Sequence, residues 1–148
     1  MRREETVDYV IKAAWHAIAR MYNQQAARYD MTMSMGFVLL NIHSDGTPAT
    51  KIAPLMGLEA RSLTRLLKSM EEEGLIYREA DPNDKRLVRI VLTKEGKKKK
   101  EKARETVLRF NDAVRSQIDR RKLHVFFDVL SDIQKVIEKN SVYDHITS

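Results

Sequence analysis

Between Thr50 and Thr93 the spacing of apolar residues changes from a helical period to an extended one, with glycines where the elements change. Ile52, Ala53, Leu55 and Met56 make a short helical segment, with Thr50 placed to cap it through its hydroxyl. Pro54 is assigned to the first turn of that helix, where a missing N–H costs least, and Gly57 ends it. From about Glu59 to Glu73, Leu63, Leu66, Leu67 and Met70 recur at i, i+3, i+4 and i+7, which gives a longer helix one buried face. Gly74 is its stop signal. Leu75 to Glu79 reads as a strand and Asp81-Pro82-Asn83-Asp84 as a turn. Arg86 to Leu92 then alternates, with Val88, Ile90 and Leu92 on one face and Leu87, Arg89 and Val91 on the other. Helix, turn, longer helix and hairpin in that order make a helix-turn-helix with a wing.

On either side the chain is helical. Val7, Val10, Ile11, Ala14, Trp15, Ile18 and Met21 form one stripe along residues 6–28, and residues 33–43 make a second, very apolar helix. Ser44 to Pro48 is a turn. Thr93 caps a helix that runs through Val107, Phe110, Val114 and Ile118, and a last one follows the polar break Asp119-Arg120-Arg121-Lys122. The fold expected is mainly α with a small β-hairpin. One chain, 1–148, holds a winged helix-turn-helix at 33–96, flanked by helical regions 1–30 and 97–148. A chain of 148 residues is too short to cover all these stripes internally. The flanking helices therefore pack between two copies of the chain, through Val10, Leu123, Phe126, Phe127 and Leu130.

Charge points to the central stretch as the working surface. Residues 50–100 hold 13 Lys/Arg and 8 Asp/Glu, so +5 of the formal +6 falls there. A surface that neutralises phosphates needs such an excess, although a solvated basic surface is the plainer alternative. Arg61, Arg65 and Lys68 lie at i, i+4 and i+7 away from the leucines, beside Ser62 and Thr64. That arrangement suits a helix whose N-terminal half enters a major groove. Glu71-Glu72-Glu73 would repel phosphate, which confines the contact to the first half. Lys85 and Arg86 sit near the hairpin tip. Lys97 to Lys100 read as a solvated face, with phosphate binding as the alternative.

The string Asp81-Pro82-Asn83-Asp84-Lys85-Arg86, followed by Val88, Ile90, Leu92-Thr93 and Gly96, resembles the wing signature of the MarR (multiple antibiotic resistance regulator) family, D-x-x-D-x-R ending in L-T-x-x-G. Leu63-Thr64-Arg65-Leu66-Leu67 and Glu73-Gly74-Leu75-Ile76 are similar to its recognition helix and exit. The resemblance implies a homodimer that binds a pseudo-palindromic operator in double-stranded DNA, usually repressing. It also implies a cytoplasmic regulator of stress response, controlled by a small aromatic or phenolic effector. Position by position, Arg61, Ser62, Thr64 and Arg65 match recognition-helix residues, and Arg86 matches the wing arginine that enters the minor groove. Thr50, Lys68 and Lys85 complete the expected DNA contacts. Asp84, with Asp81, is expected to hold the hairpin rather than touch DNA. Trp15, His16 and Met35, with Met33 and Phe37, are candidates for an effector pocket, against the plainer reading as core. Glu59 in place of a capping residue and Pro54 in a helix depart from the family pattern.

Other classes are set aside on composition and spacing. Without cysteine the chain has no disulfide, thiolate metal site or thiol switch. No run approaches the ~18 apolar residues of a membrane span, and the N-terminus lacks the apolar core of a signal peptide. His16, His43, His124 and His145 are scattered and pair with no nucleophile. No catalytic, metal or cofactor site is assigned. A winged-helix module that binds protein or RNA without an operator is the competing function, disfavoured because its contact face would be apolar where this one is cationic.

Overall fold

A computed structural model describes residues 1–139 and 142–143; His145 lies outside the described residues. After a short 3-10 turn at Arg3–Glu5 the elements are α1 (Val7–Ala27), α2 (Met33–Leu40), β1 (Thr47–Pro48), α3 (Ala49–Met56), α4 (Ala60–Glu72), β2 (Ile76–Ala80), β3 (Val88–Leu92), α5 (Lys94–Gln117) and α6 (Arg120–Glu138). They form two compact units, residues 1–107 and 108–148, with α5 crossing from one to the other.

The first unit is built on one apolar cluster. Val38, Leu39 and Ile42 from the α2 region meet Ile52 of α3, Leu63, Leu67 and Met70 of α4, Leu75 just before β2, and Ile76, Ile90 and Leu92 of the sheet. Each fully buried aliphatic side chain contributes about 1.5–3 kcal/mol, so the cluster holds α4 firmly by one face. Polar groups fix where α2 starts: the Thr32 hydroxyl accepts the Met35 N–H at 3.2 Å, and Asn23 Oδ1 on α1 accepts the Met33 N–H at 2.9 Å. Gly57 (φ 62°) and Gly74 (φ 76°) take the left-handed turn that ends α3 and α4, as their positions in the sequence predict.

Three local expectations are corrected. The sheet has three strands, in the order β1-β3-β2, because Thr47 and Pro48 pair with Ile90 and Arg89 at its edge. An edge strand tolerates proline, which has no N–H for the ladder. Because Pro48 is extended up to the helix start, α3 begins at Ala49, and Thr50 lies inside the helix and caps nothing. Pro54 is consequently the sixth residue of α3 and not in its first turn, so the helix does without the N–H that would reach the Thr50 carbonyl.

Two of the four consecutive lysines are half-buried and hydrogen-bonded to backbone carbonyls. Lys99 Nζ donates to the Tyr29 carbonyl at 2.7 Å and Lys100 Nζ to the Ile42 carbonyl at 2.5 Å, just beyond the C-termini of α1 and α2. A cation is favoured at both places by the unsatisfied carbonyls and the helix dipole.

Within the second unit, Asp119 caps α6 by accepting the Arg121 N–H at 2.7 Å. Leu123 is buried and Leu130 half-buried, but Val125, Phe126, Phe127, Val129, Val136 and Ile137 are exposed. The Phe126 and Phe127 rings lie 5.4 Å apart, and the Arg115 guanidinium is 5.9 Å from the Phe127 ring. In the first unit, Val7, Val10, Ile11 and Trp15 of α1 are exposed as well.

Candidate nucleic-acid interface

The two faces of α4 differ sharply. Leu63, Leu67 and Met70 are buried and Leu66 half-buried, while Arg61, Ser62, Thr64, Arg65 and Lys68 are all exposed. Among the described residues Arg61, Arg65 and Lys68 have no ion pair or hydrogen bond to another side chain, so their charge is directed outward uncompensated. Thr64 donates its hydroxyl to the Ala60 carbonyl at 2.8 Å. Its proton is therefore engaged, leaving the methyl group and oxygen lone pairs for an outside partner. Glu59 occupies the N-cap position without a side-chain hydrogen bond, as its departure from the usual capping residues suggests. At the other end of α4, Glu71 accepts from Arg78 Nε at 2.8 Å, which ties the helix to β2 and offsets part of the acidic cluster. Thr50 on α3 is exposed.

The wing is a hydrogen-bonded scaffold around two aspartates. Asp81 Oδ1 accepts the N–H groups of Asn83 and Asp84 at 2.8 and 3.1 Å, and the Asp81 N–H reaches the Leu87 carbonyl at 3.0 Å. Asp84 Oδ1 accepts from the Arg86 N–H at 3.0 Å and from its Nε at 3.2 Å. The Arg86 side chain is nonetheless 92% exposed, so this bond orients the guanidinium without covering it. Lys85 beside it is exposed and has no partner among the described residues.

Sequence reasoning missed Arg89. Its guanidinium meets Asp81 Oδ2 at 3.4 Å and donates to the carbonyls of Asp45 and Gly46 at 3.0 Å each. It joins the root of the wing to the loop before β1. Asp81 is buried, and the Asn83 N–H, then the Asp84 N–H and Arg89, hold its carboxyl below the ordinary range against the opposing effect of burial. The one signal in the sequence is a cation placed between apolar residues on a strand; the identity of its partners is a tertiary fact.

The three candidate effector residues are not brought together. Met35 belongs to the core. Trp15 borders a groove with Phe37, Asn41, Leu55 and Met56, with an empty volume of about 470 Å³ that includes open solvent, and His16 lies in another along α1 with Arg20 and Asn23. A different cleft, lined by Tyr22, Tyr29, Met31, Met33, Phe37 and Val107 among others, has an empty volume of about 360 Å³ that includes its open mouth. Burial raises the Tyr22 phenol above its ordinary range, and its ring meets Phe37 edge-on at 6.1 Å. His16, His43 and His124 are exposed, and no group of three or more His, Cys, Asp or Glu among the described residues could hold a metal ion. No helix among the described residues is long and apolar enough to cross a membrane.

Known proteins share this fold. The model of the MarR family matches residues 31–88. The organic hydroperoxide resistance transcriptional regulator of Bacillus subtilis (strain 168) is 30% identical over 104 residues, 70% of this chain and 71% of that one. The S. aureus MepR-DNA complex has a TM-score of 0.80 at 23% identity, covering 88% of this chain and 98% of the MepR chain. CouR from Rhodococcus jostii RHA1, bound to p-coumaroyl-CoA, has a TM-score of 0.77 at 20% identity, covering 90% and 94%. At these identities the two structures establish a shared winged-helix fold.

Proposed function

Because the chain belongs to the MarR family of transcription regulators, we propose that it binds a pseudo-palindromic operator as a homodimer, represses from it, and is released by a small aromatic or phenolic effector. The observation that carries this reading is the uncompensated cationic face of α4, set opposite the buried Leu63, Leu67 and Met70. In a major groove that face offers Arg61 and Arg65 to guanine edges, Thr64 to a thymine methyl and Lys68 to phosphate. The oriented Arg86 reaches the adjacent minor groove, and Lys85 accompanies it along the backbone. Thr50, exposed on α3, adds a phosphate contact.

The exposed apolar residues of α1 and α6 support the homodimer, since patches of that kind on a monomer mark an interaction surface. Val10, Phe126 and Phe127 lie on these faces. Two copies would present two α4 helices to half-sites one turn apart, ~34–36 Å. For an effector, the groove at Trp15 and Phe37 and the cleft beside Tyr22 and Tyr29 are both candidate sites.

The test is a salt titration on duplex DNA recovered from the source genome by the protein itself. Log affinity should fall by roughly 0.9 per log of salt for each phosphate contact, and the recovered duplex should be preferred to a scrambled one. Weak binding with no preference between the two would favour a module for protein or RNA.

A further inference from the structure

Thr93 is the single residue between β3 and α5, and three of its hydrogen bonds tie it to the α4 exit and to Gly96. Its hydroxyl donates to the Gly74 carbonyl at 2.6 Å, and its N–H donates to the Leu75 carbonyl at 3.1 Å. The same hydroxyl oxygen accepts the Gly96 N–H at 3.0 Å, in the first turn of α5. Gly74 and Leu75 are the residues by which the chain leaves α4 after Glu73. Gly96 completes the corner: a Cβ there would lie 2.0 Å from the Leu75 oxygen, so the α5 backbone rests directly on the α4 exit.

An N-cap needs only an acceptor, whereas the bond to Gly74 needs a donor. Capping α5 therefore does not account for the 2.6 Å contact. We propose that Thr93 is a positioning residue for DNA recognition, whose hydroxyl ties the C-terminal end of α4 to α5 and sets the angle at which Arg61 and Arg65 are offered. This rests on the operator-binding reading above. The lever is long: Arg61 lies about 16 Å along the helix from Glu72 at 1.5 Å per residue, so a tilt of about 5° moves it by roughly 1.4 Å. A base-edge hydrogen bond does not survive that displacement, while a flexible side chain still finds a phosphate.

Two substitutions separate the roles. Thr93→Asp keeps a strong N-cap acceptor but has no proton for Gly74; Thr93→Ser keeps both functions. The readout is the ratio of affinities for a duplex selected from a random library by the wild-type protein and an unselected duplex of equal length. The added carboxylate weakens both duplexes and cancels in the ratio. Thr93→Asp should lower it roughly three- to tenfold, the worth of one hydrogen bond, with Thr93→Ser within about twofold of wild type. An unchanged ratio in Thr93→Asp, or an equal loss in Thr93→Ser, overturns the proposal. Amide exchange in the wild type gives a second measurement, independent of DNA and of the variants' folding: Leu75 and Gly96 should open together, and clearly separate opening overturns it too. A wild type that prefers no duplex defeats the operator reading alone, and the exchange result then decides this one.

Discussion

Gly96→Ala places a methyl group 2.0 Å from the carbonyl oxygen of Leu75 and 3.0 Å from its carbonyl carbon. A carbon approaches a carbonyl oxygen to about 3.3 Å, so the two backbones must part by roughly 1.3 Å. Neither side yields easily. The Leu75 N–H is bonded to the Met70 carbonyl at 3.0 Å and its own carbonyl to Thr93, while Gly96 is bonded to the Thr93 hydroxyl. Overpacking costs about 1–3 kcal/mol, and weakening two hydrogen bonds about 1 kcal/mol each. Alanine recovers about 1 kcal/mol of helix propensity over glycine, which leaves a net loss near 3 kcal/mol. For a chain of this size that is a fall in Tm of roughly 6–12 °C. Gly36→Ala is the control, because its Cβ would meet only the Ala103 Cβ at an ordinary 3.6 Å. It should be neutral or stabilise by up to about 1 kcal/mol. Urea unfolding followed by circular dichroism, at one fixed protein concentration, measures both. A Gly96→Ala loss below about 1 kcal/mol, or a larger loss for Gly36→Ala, would refute the close-approach argument.

Arg65→Ala should weaken binding to a selected operator by about 1–3 kcal/mol, roughly 5- to 150-fold, while stability stays within about 0.5 kcal/mol because the side chain is exposed and unpaired. Fluorescence anisotropy on operator and random duplexes checks it, and equal losses on both would reduce Arg65 to a phosphate anchor. Asp81 has a folded-state pKa below its unfolded value of about 3.9, set first by the Asn83 N–H. Its contribution is present above about pH 4 and lost as pH falls through the lower folded value, so wild type should lose more stability than Asp81→Asn between pH 5 and 3. Urea midpoints that fall in parallel would contradict this. Phe127→Asp should give a folded monomer on sedimentation, since the residue is about half exposed in the single chain; a dimer would move the interface elsewhere.

What the sequence disclosed and what it hid divide along the range of the interactions. The α4 helix is legible because its four apolar positions and its three cations have incompatible helical phases, and one of the two sets must face outward. Gly57 and Gly74 are legible because ending a helix in the left-handed region is a local requirement. Thr50 and Pro54 are misplaced because the start of α3 depends on Thr47 and Pro48 pairing with β3, a contact no local pattern announces. Arg89 is hidden for the same reason: its position on β3 is plain, but its carbonyl partners come from the loop at Asp45 and Gly46. Met35 is open to two readings because, at helical spacing from its neighbours, it satisfies the demands of a core equally well.

Charge shows most clearly what a count leaves out. The excess between residues 50 and 100 treats all cations alike, yet the fold sorts them. Arg78 is bound to Glu71, Arg89 to Asp81 and two carbonyls, and Lys99 and Lys100 to carbonyls beyond the ends of α1 and α2. These hold α4, the wing root and α5 in place, and the charges of Arg78 and Arg89 are compensated inside the protein by Glu71 and Asp81. Arg61, Arg65, Lys68 and Lys85 have no such partner among the described residues, and Arg86 is oriented by Asp84 while remaining exposed. Cations aligned on one face repel one another, at a cost that only an external anion relieves. The internally bound cations therefore provide the rigidity against which that face is held, and Thr93 belongs with them as the uncharged part of the same frame.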